Sequence, residues 1–442
     1  MRIFLLVLKV SVAAACVAAG AMVRTPAASN FRPWLLIGLI AVATLLIAGS
    51  LRWRGLSARK WIDRLDLAPF GLAALALILA LTTEGRFQLA RLAVLRAEPS
   101  VVERLGRHIV VGYRDPAFVR GLVERRAIGG IFVTRRNAVE QDAASIAREI
   151  GELQAIRVRQ GLPLLWVATD QEGGSVARLS PPLDRQPPLA HVVREMKDPS
   201  ARQSAVTAYA TQQCRALAAL GVNLNFAPVV DLDFGIHNPN DAFTRISDRA
   251  ISADAAIVSD VAGWYCDGLA AQGVHCTLKH FPGLGRVFED THRNEGRLNA
   301  TLEELARTDW VPFRRLLGRA SNIVMVGHVR LPALDATHPV STSQQAVSGL
   351  LRGRWGYDGI VISDDMCMGA IYAGQDGIEQ ASLRALNAGV DLLLVSWDGE
   401  QVYPILAALL RAQSGLNSET LRRSAARLQA AQSKLPTGPA IR

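Results

Sequence analysis

Hydrophobic positions along the chain fall into two regimes. Over the first 83 residues they form three long runs, Ile3–Val23, Trp34–Leu51 and Leu67–Thr83. Each is close to the roughly 20 apolar residues that cross a bilayer. The third is the shortest and also fits a hairpin partner or an interfacial helix. The first carries Lys9 and small residues around Ala19–Ala21, a pattern shared by retained spans and cleavable signal peptides. From Arg107 onward the runs become short and β-rich: His108–Tyr113, Gly130–Thr134, Leu164–Thr169, Leu224–Pro228, Cys276–His280, Ile323–Gly327, Ile360–Asp364 and Leu392–Ser396. Amphipathic stretches separate them, among them Ala138–Leu153, Ala201–Leu220, Ala253–Ala271, Leu302–Gly318 and Gln380–Ala388.

Strand and helix in alternation predict a parallel sheet. Eight such units predict an α/β fold of the (β/α)₈ TIM-barrel type, preceded by N-terminal transmembrane helices. The absence of a Gly-rich dinucleotide fingerprint after the first strand argues against an open doubly wound sheet. The expected organisation is a membrane anchor over residues 1–97 and a catalytic barrel over 98–442. The polar tail after Arg422, with Pro436 and Pro439, is expected to fray.

Charge alters the picture once it is localised. The formal net charge is +10, but residues 1–97 hold 12 Lys/Arg against 3 Asp/Glu, which leaves 37 against 36 for residues 98–442. The soluble part is nearly neutral, so a nucleic-acid partner loses its main support. Between the second and third runs lie Arg52, Arg54, Arg59, Lys60 and Arg64, whereas the preceding loop has only Arg24 and Arg32. The positive-inside rule puts the richer loop in the cytoplasm. The expected location is a bacterial inner membrane with the barrel on the periplasmic side and a lipid bilayer as partner. Five cysteines show no metal spacing and read as buried free thiols, although an oxidising compartment permits a disulfide.

Polar residues gather at the carboxyl ends of the predicted strands: Asp170, Asp231, Lys279 with His280, His328, Asp364 with Asp365, and Trp397. Barrel active sites lie on that face. Asp364 can attack an anomeric carbon or cap the next helix; two adjacent acids suggest one catalytic and one structural role. In Lys279-His280-Phe281-Pro282-Gly283 a strand ends in a Gly/Pro hinge, which leads to Asp290-Thr291-His292. There an imidazole can move a proton while a carboxylate fixes its tautomer. In Asp170-Gln171-Glu172-Gly173-Gly174 paired glycines let the backbone bend close to a ligand, and Asp170 can bridge vicinal sugar hydroxyls. Arg178 lies just beyond this loop, which also fits an ordinary βα connection with a helix cap, and Arg249 alone reads as a solvated arginine. A zinc site on His280, His292 and His328 lacks a clustered ligand motif.

Taken together, Asp170–Gly174 with Arg178, Gly221–Asp231, Lys279–Gly283, Asp290/His292 and Ser363–Asp365 resemble glycoside hydrolase family 3. The likeness is greatest to the single-domain bacterial β-N-acetylglucosaminidases (β-N-acetylhexosaminidases) that trim peptidoglycan fragments. It covers roughly residues 127–396, with the motifs in the family's order. The resemblance implies a retaining double displacement on a carbohydrate substrate, with neither metal nor cofactor. It assigns Asp364 as nucleophile, His292 as acid/base and Asp290 as its partner. Asp170, Arg178, Arg249, Lys279 and His280 become the groups that hold the sugar. Two positions depart from the family pattern: Leu284 replaces a usual histidine and Ser175 a common arginine, which bears on loop docking and aglycone preference. A β-glucosidase, a β-N-acetylglucosaminide phosphorylase and an inactive membrane-tethered glycan-binding protein remain alternative readings.

Overall fold

A computed structural model describes residues 2–54, 67–319 and 322–436. It divides into two compact units, Met1–Arg96 and Ala97–Arg442.

The first unit contains helices Arg2–Met22, Arg32–Arg54 and Leu67–Arg96. All three are long and apolar enough to cross a membrane. The third, expected to be the shortest, is the longest at 30 residues. Polar residues after Thr83 end the hydropathy run but not the helix, because Glu84 is paired: Arg24 Nε donates to it at 2.6 Å, and the same guanidinium lies 3.6 Å from the Phe87 ring centre. Small residues bring the first and third helices close, and a Cβ on Gly20 would stand 2.5 Å from the Ala76 carbonyl oxygen. Of the basic loop, residues 55–66 lie outside the described residues, Arg59, Lys60 and Arg64 with them.

In the second unit eight parallel strands close into a barrel: β1 (Ile109–Gly112), β2 (Gly130–Phe132), β3 (Trp166–Thr169), β4 (Leu224–Asn225), β5 (His275–Phe281), β6 (Asn322–Val326), β7 (Val361–Asp365) and β8 (Leu392–Val395). Each coincides with one of the eight predicted runs. Pairing of Ile109 with Leu393 and of Val110 with Gly130 closes the ring through β1. The interior is filled with period two, as strand geometry requires. Trp166 and Ala168 on β3, Ile323 and Met325 on β6, Ile362 on β7, and Leu392 and Leu394 on β8 form one buried cluster.

Helices cover the outside, and several of them begin at side-chain caps. Asp142 accepts from Ser145 N at 2.8 Å, so the first long crossover helix runs Ala143–Arg159 rather than starting at Ala138. The stretch Leu302–Gly318 breaks into Leu302–Arg307 and Trp310–Leu316, with Asp309 between them bound to Arg286. Two further expectations are corrected. Cys266 and Cys276 form a disulfide, because the end of helix Ala255–Ala270 lies beside the start of β5; Cys16, Cys214 and Cys367 remain free and buried. Nor does the tail fray between Arg422 and Pro436; residues 437–442, Pro439 among them, lie outside the described residues. Helix Ser418–Gln432 continues, and Leu428 and Leu435 join the barrel's apolar cluster.

Candidate active site

The carboxyl ends of the strands open into a cavity of about 270 Å³, just below the usual range for ligand pockets. Phe132, Phe226, Met325 and Leu394 form its apolar lining. Above them stand Asp170, Arg178, Arg249, Lys279, His280, His292, Asp364 and Asp365. Seven of the eight residues that sequence reasoning assigned to the site therefore meet in one hollow; the eighth, Asp290, sits behind His292. Its Oδ1 is 3.3 Å from His292 Nδ1, and it is 3% exposed against 39% for the imidazole.

The two acids at the end of β7 divide their roles. Asp365 accepts from Cys367 N (3.0 Å), Ser396 N (2.8 Å), Ser396 Oγ (2.6 Å) and Trp397 N (3.0 Å). Its carboxylate is saturated and tethers β7 to the loop after β8. The Asp364 carboxylate accepts one local bond, from Asp365 N at 2.8 Å. Burial opposes its ionisation, but the facing imidazoles, His280 foremost, hold it below the usual carboxylate range. An ionised, lightly bonded carboxylate at a cavity wall has the properties of a nucleophile.

The third imidazole belongs elsewhere. His328 Nε2 donates to the Asp365 carbonyl at 3.0 Å and Nδ1 meets Ser341 Oγ at 2.7 Å. Burial drives this ring toward its neutral form. With both nitrogens engaged it supports the backbone of β7 and does not converge with His280 and His292 as a ligand set. Among the described residues no group of three His, Cys, Asp or Glu is placed to hold a metal.

The charged groups at one side of the cavity form a buried ion cluster. Lys279 Nζ lies 2.7 Å from Asp170 Oδ1 and 2.6 Å from Glu172 Oε1. Glu172 also receives both arms of Arg249, at 2.6 and 3.0 Å. Burial would raise the Glu172 carboxyl, but the charges of Arg249 and Lys279 outweigh it and hold it far below the ordinary value. Arg249, which alone looked like a surface residue, has 9% of its side chain exposed. Sequence reasoning quoted Glu172 but gave it no role. A signal was present, since residues i and i+2 in an extended segment share a face, and Glu172 follows Asp170 by two. Gly173 makes the bend possible: its φ is +94°, and a Cβ there would meet Tyr209 Oη at 2.2 Å.

Asp231 at the mouth was seen only as a polar strand end. It accepts from His280 Nδ1 (2.7 Å), His280 N (3.1 Å) and Leu284 N (2.7 Å). The loop after β5 is thus docked through the backbone amide of residue 284. Leu284 itself is buried, and docking does not require a histidine there. Ser175 is exposed at the turn between Gln171–Gly173 and Val176–Ala177, next to Val176 of the cavity lining but not part of that lining itself.

Residues 100–431 match the Glycosyl hydrolase family 3 N terminal domain. The chain belongs to glycosyl hydrolase family 3. Beta-hexosaminidase LpqI of Mycobacterium tuberculosis is 36% identical over 329 residues, 73% of this chain and 79% of that protein. The structure of LpqI superposes with a TM-score of 0.66 at 33% identity, covering 77% of this chain and 98% of that one. A glycoside hydrolase family 3 beta-N-acetylglucosaminidase from Paenibacillus gives a TM-score of 0.68 at 32% identity, covering 75% of this hydrolase and 62% of that chain. The family match lies within the barrel unit, and the three apolar helices, which end at Arg96, lie outside it.

Proposed function

We propose that this hydrolase is a retaining exo-glycosidase releasing terminal β-linked N-acetylglucosamine from peptidoglycan- or chitin-type sugars. One observation carries the reading: Asp364 and His292 line the same one-sugar hollow as the cationic and acidic groups suited to hold hydroxyls. An Asp364 carboxylate oxygen attacks C1 while the C1–O bond to the leaving group breaks. His292, protonated, delivers its proton to the departing oxygen. Water then yields a proton to His292 as its oxygen attacks C1 and displaces Asp364. Asp290 keeps the His292 proton on Nδ1 and leaves Nε2 for transfer; burial would raise its carboxyl, but the bond from His292 takes it down to about 2, so it stays charged at any working pH. Asp170, Arg178, Arg249, Lys279 and His280 hold the ring. The sugar is taken from what the relatives are named for.

We place the barrel outside the cytoplasmic membrane, with the three apolar helices as anchor. The charge asymmetry of the loops supports this orientation, and so does the Cys266–Cys276 disulfide, which belongs to oxidising compartments. The purified protein is expected to release nitrophenol from para-nitrophenyl β-N-acetylglucosaminide in preference to the β-glucoside, and Asp364→Ala to abolish that release. Retained turnover in the variant would reject the assignment.

A further inference from the structure

Thr244 comes from the long loop after β4, far in sequence from the Asp290–His292 loop, and is 4% exposed. Asp241 sets its position: the carboxylate accepts from Thr244 N at 2.8 Å and Arg245 N at 2.7 Å, which winds the turn. The Thr244 hydroxyl then stands among four groups of the other loop. It lies 3.0 Å from Asp290 Oδ1, 3.2 Å from His292 Nδ1, 3.2 Å from Thr291 N and 3.3 Å from Thr291 Oγ1.

The polarity of these contacts follows from donor counting. An ionised carboxylate only accepts, so the single hydroxyl proton goes to Asp290. The lone pairs face Thr291 N–H and His292 Nδ1–H, both nearer than the Thr291 hydroxyl at 3.3 Å. The hydroxyl completes a path from Nδ1 through Oγ1 to Oδ1, parallel to the direct Asp290–His292 separation of 3.3 Å. On the other side, the Thr244 carbonyl accepts from Arg249 Nη1 at 2.8 Å, and Arg249 belongs to the buried ion cluster. One residue therefore touches both the proton-moving pair and the sugar-holding base.

We propose that Thr244 is a positioning residue for the acid/base: its hydroxyl fixes the Nδ1–H form of His292 and orients the ring to present Nε2 to the leaving oxygen. The inference rests on the acid/base reading of His292. A general acid matters most where the departing group is a poor one, so the effect is read as a dependence on leaving group. Thr244→Val keeps the volume and removes the hydroxyl. Its kcat/KM toward N,N′-diacetylchitobiose is expected to fall about tenfold, the size of one lost hydrogen bond to charged partners. The loss toward the para-nitrophenyl glycoside should be several-fold smaller, and Thr244→Ser should recover most of the difference.

Equal loss on both substrates, no loss on either, or a serine variant no better than valine would overturn the proposal, since a merely structural threonine gives those results. His292→Ala measured on the same pair separates the two levels. If it shows the leaving-group dependence and Thr244→Val does not, only the positioning role falls. If it shows none, the acid/base reading fails and the role of Thr244 with it.

Discussion

Glu172→Gln tests the buried ion cluster most sharply. The substitution preserves shape and removes the one charge shared by Lys279 and Arg249, whose side chains are 3% and 9% exposed. Breaking a buried pair by removing one partner costs about 3–5 kcal/mol. Lys279 keeps Asp170 at 2.7 Å, and glutamine can still accept one bond, so the lower end applies, about 3 kcal/mol. Equilibrium urea unfolding of the detergent-solubilised protein reads this as a drop in midpoint. The pH dependence has a definite sign. The folded carboxyl is depressed, so its stabilisation is complete above the unfolded value near pH 4.3 and is lost as pH falls toward the folded one. The gap between wild type and variant should thus be full at neutrality and narrow on acidification below about pH 4.3. A variant within about 0.5 kcal/mol of wild type at neutral pH, the ordinary range for surface changes, would refute the reasoning. So would a gap that persists undiminished in acid.

Asp365→Asn should destabilise the protein by about 2–3 kcal/mol, because an amide cannot satisfy four donors, and should lower activity by loosening the end of β7. Asp364→Asn should remove activity with little change in unfolding midpoint; comparable midpoints for the two variants would undo that division of roles. Reduction of Cys266–Cys276, ten residues apart, should cost about 2–3 kcal/mol by releasing a short loop. Denatured, unreduced protein should titrate three thiols, and five would show that the bond is absent.

Much of the barrel was legible because each strand is a short apolar run, most of them stopping at a polar residue, and those stops mark the face that carries the cavity. Partners that act through the backbone or from distant loops were not legible. Leu284 looked like a defect because a motif compares side chains, whereas the contact that docks its loop is an amide N–H, which any residue except proline supplies. Thr244 has no motif around it, and its importance arises only when two loops fold against each other. The tail was misjudged from its polarity, although Leu421, Leu428 and Leu435 recur every seven residues and two of them are buried. The disulfide was missed because a spacing of ten residues says nothing of a helix end meeting the next strand. Glu84 hid the length of the third helix for a similar reason: hydropathy registers its charge alone, whereas Arg24, from the turn after the first helix, pairs with it.

The most direct measurement is covalent trapping. A slow fluorinated N-acetylglucosaminyl donor, incubated with the protein and followed by peptide mass mapping, should leave one sugar on the peptide containing Asp364, and on the Asp364 side chain after fragmentation. A sugar on Asp365 or Glu172, or turnover without any adduct and with inversion at C1, would contradict the central claim.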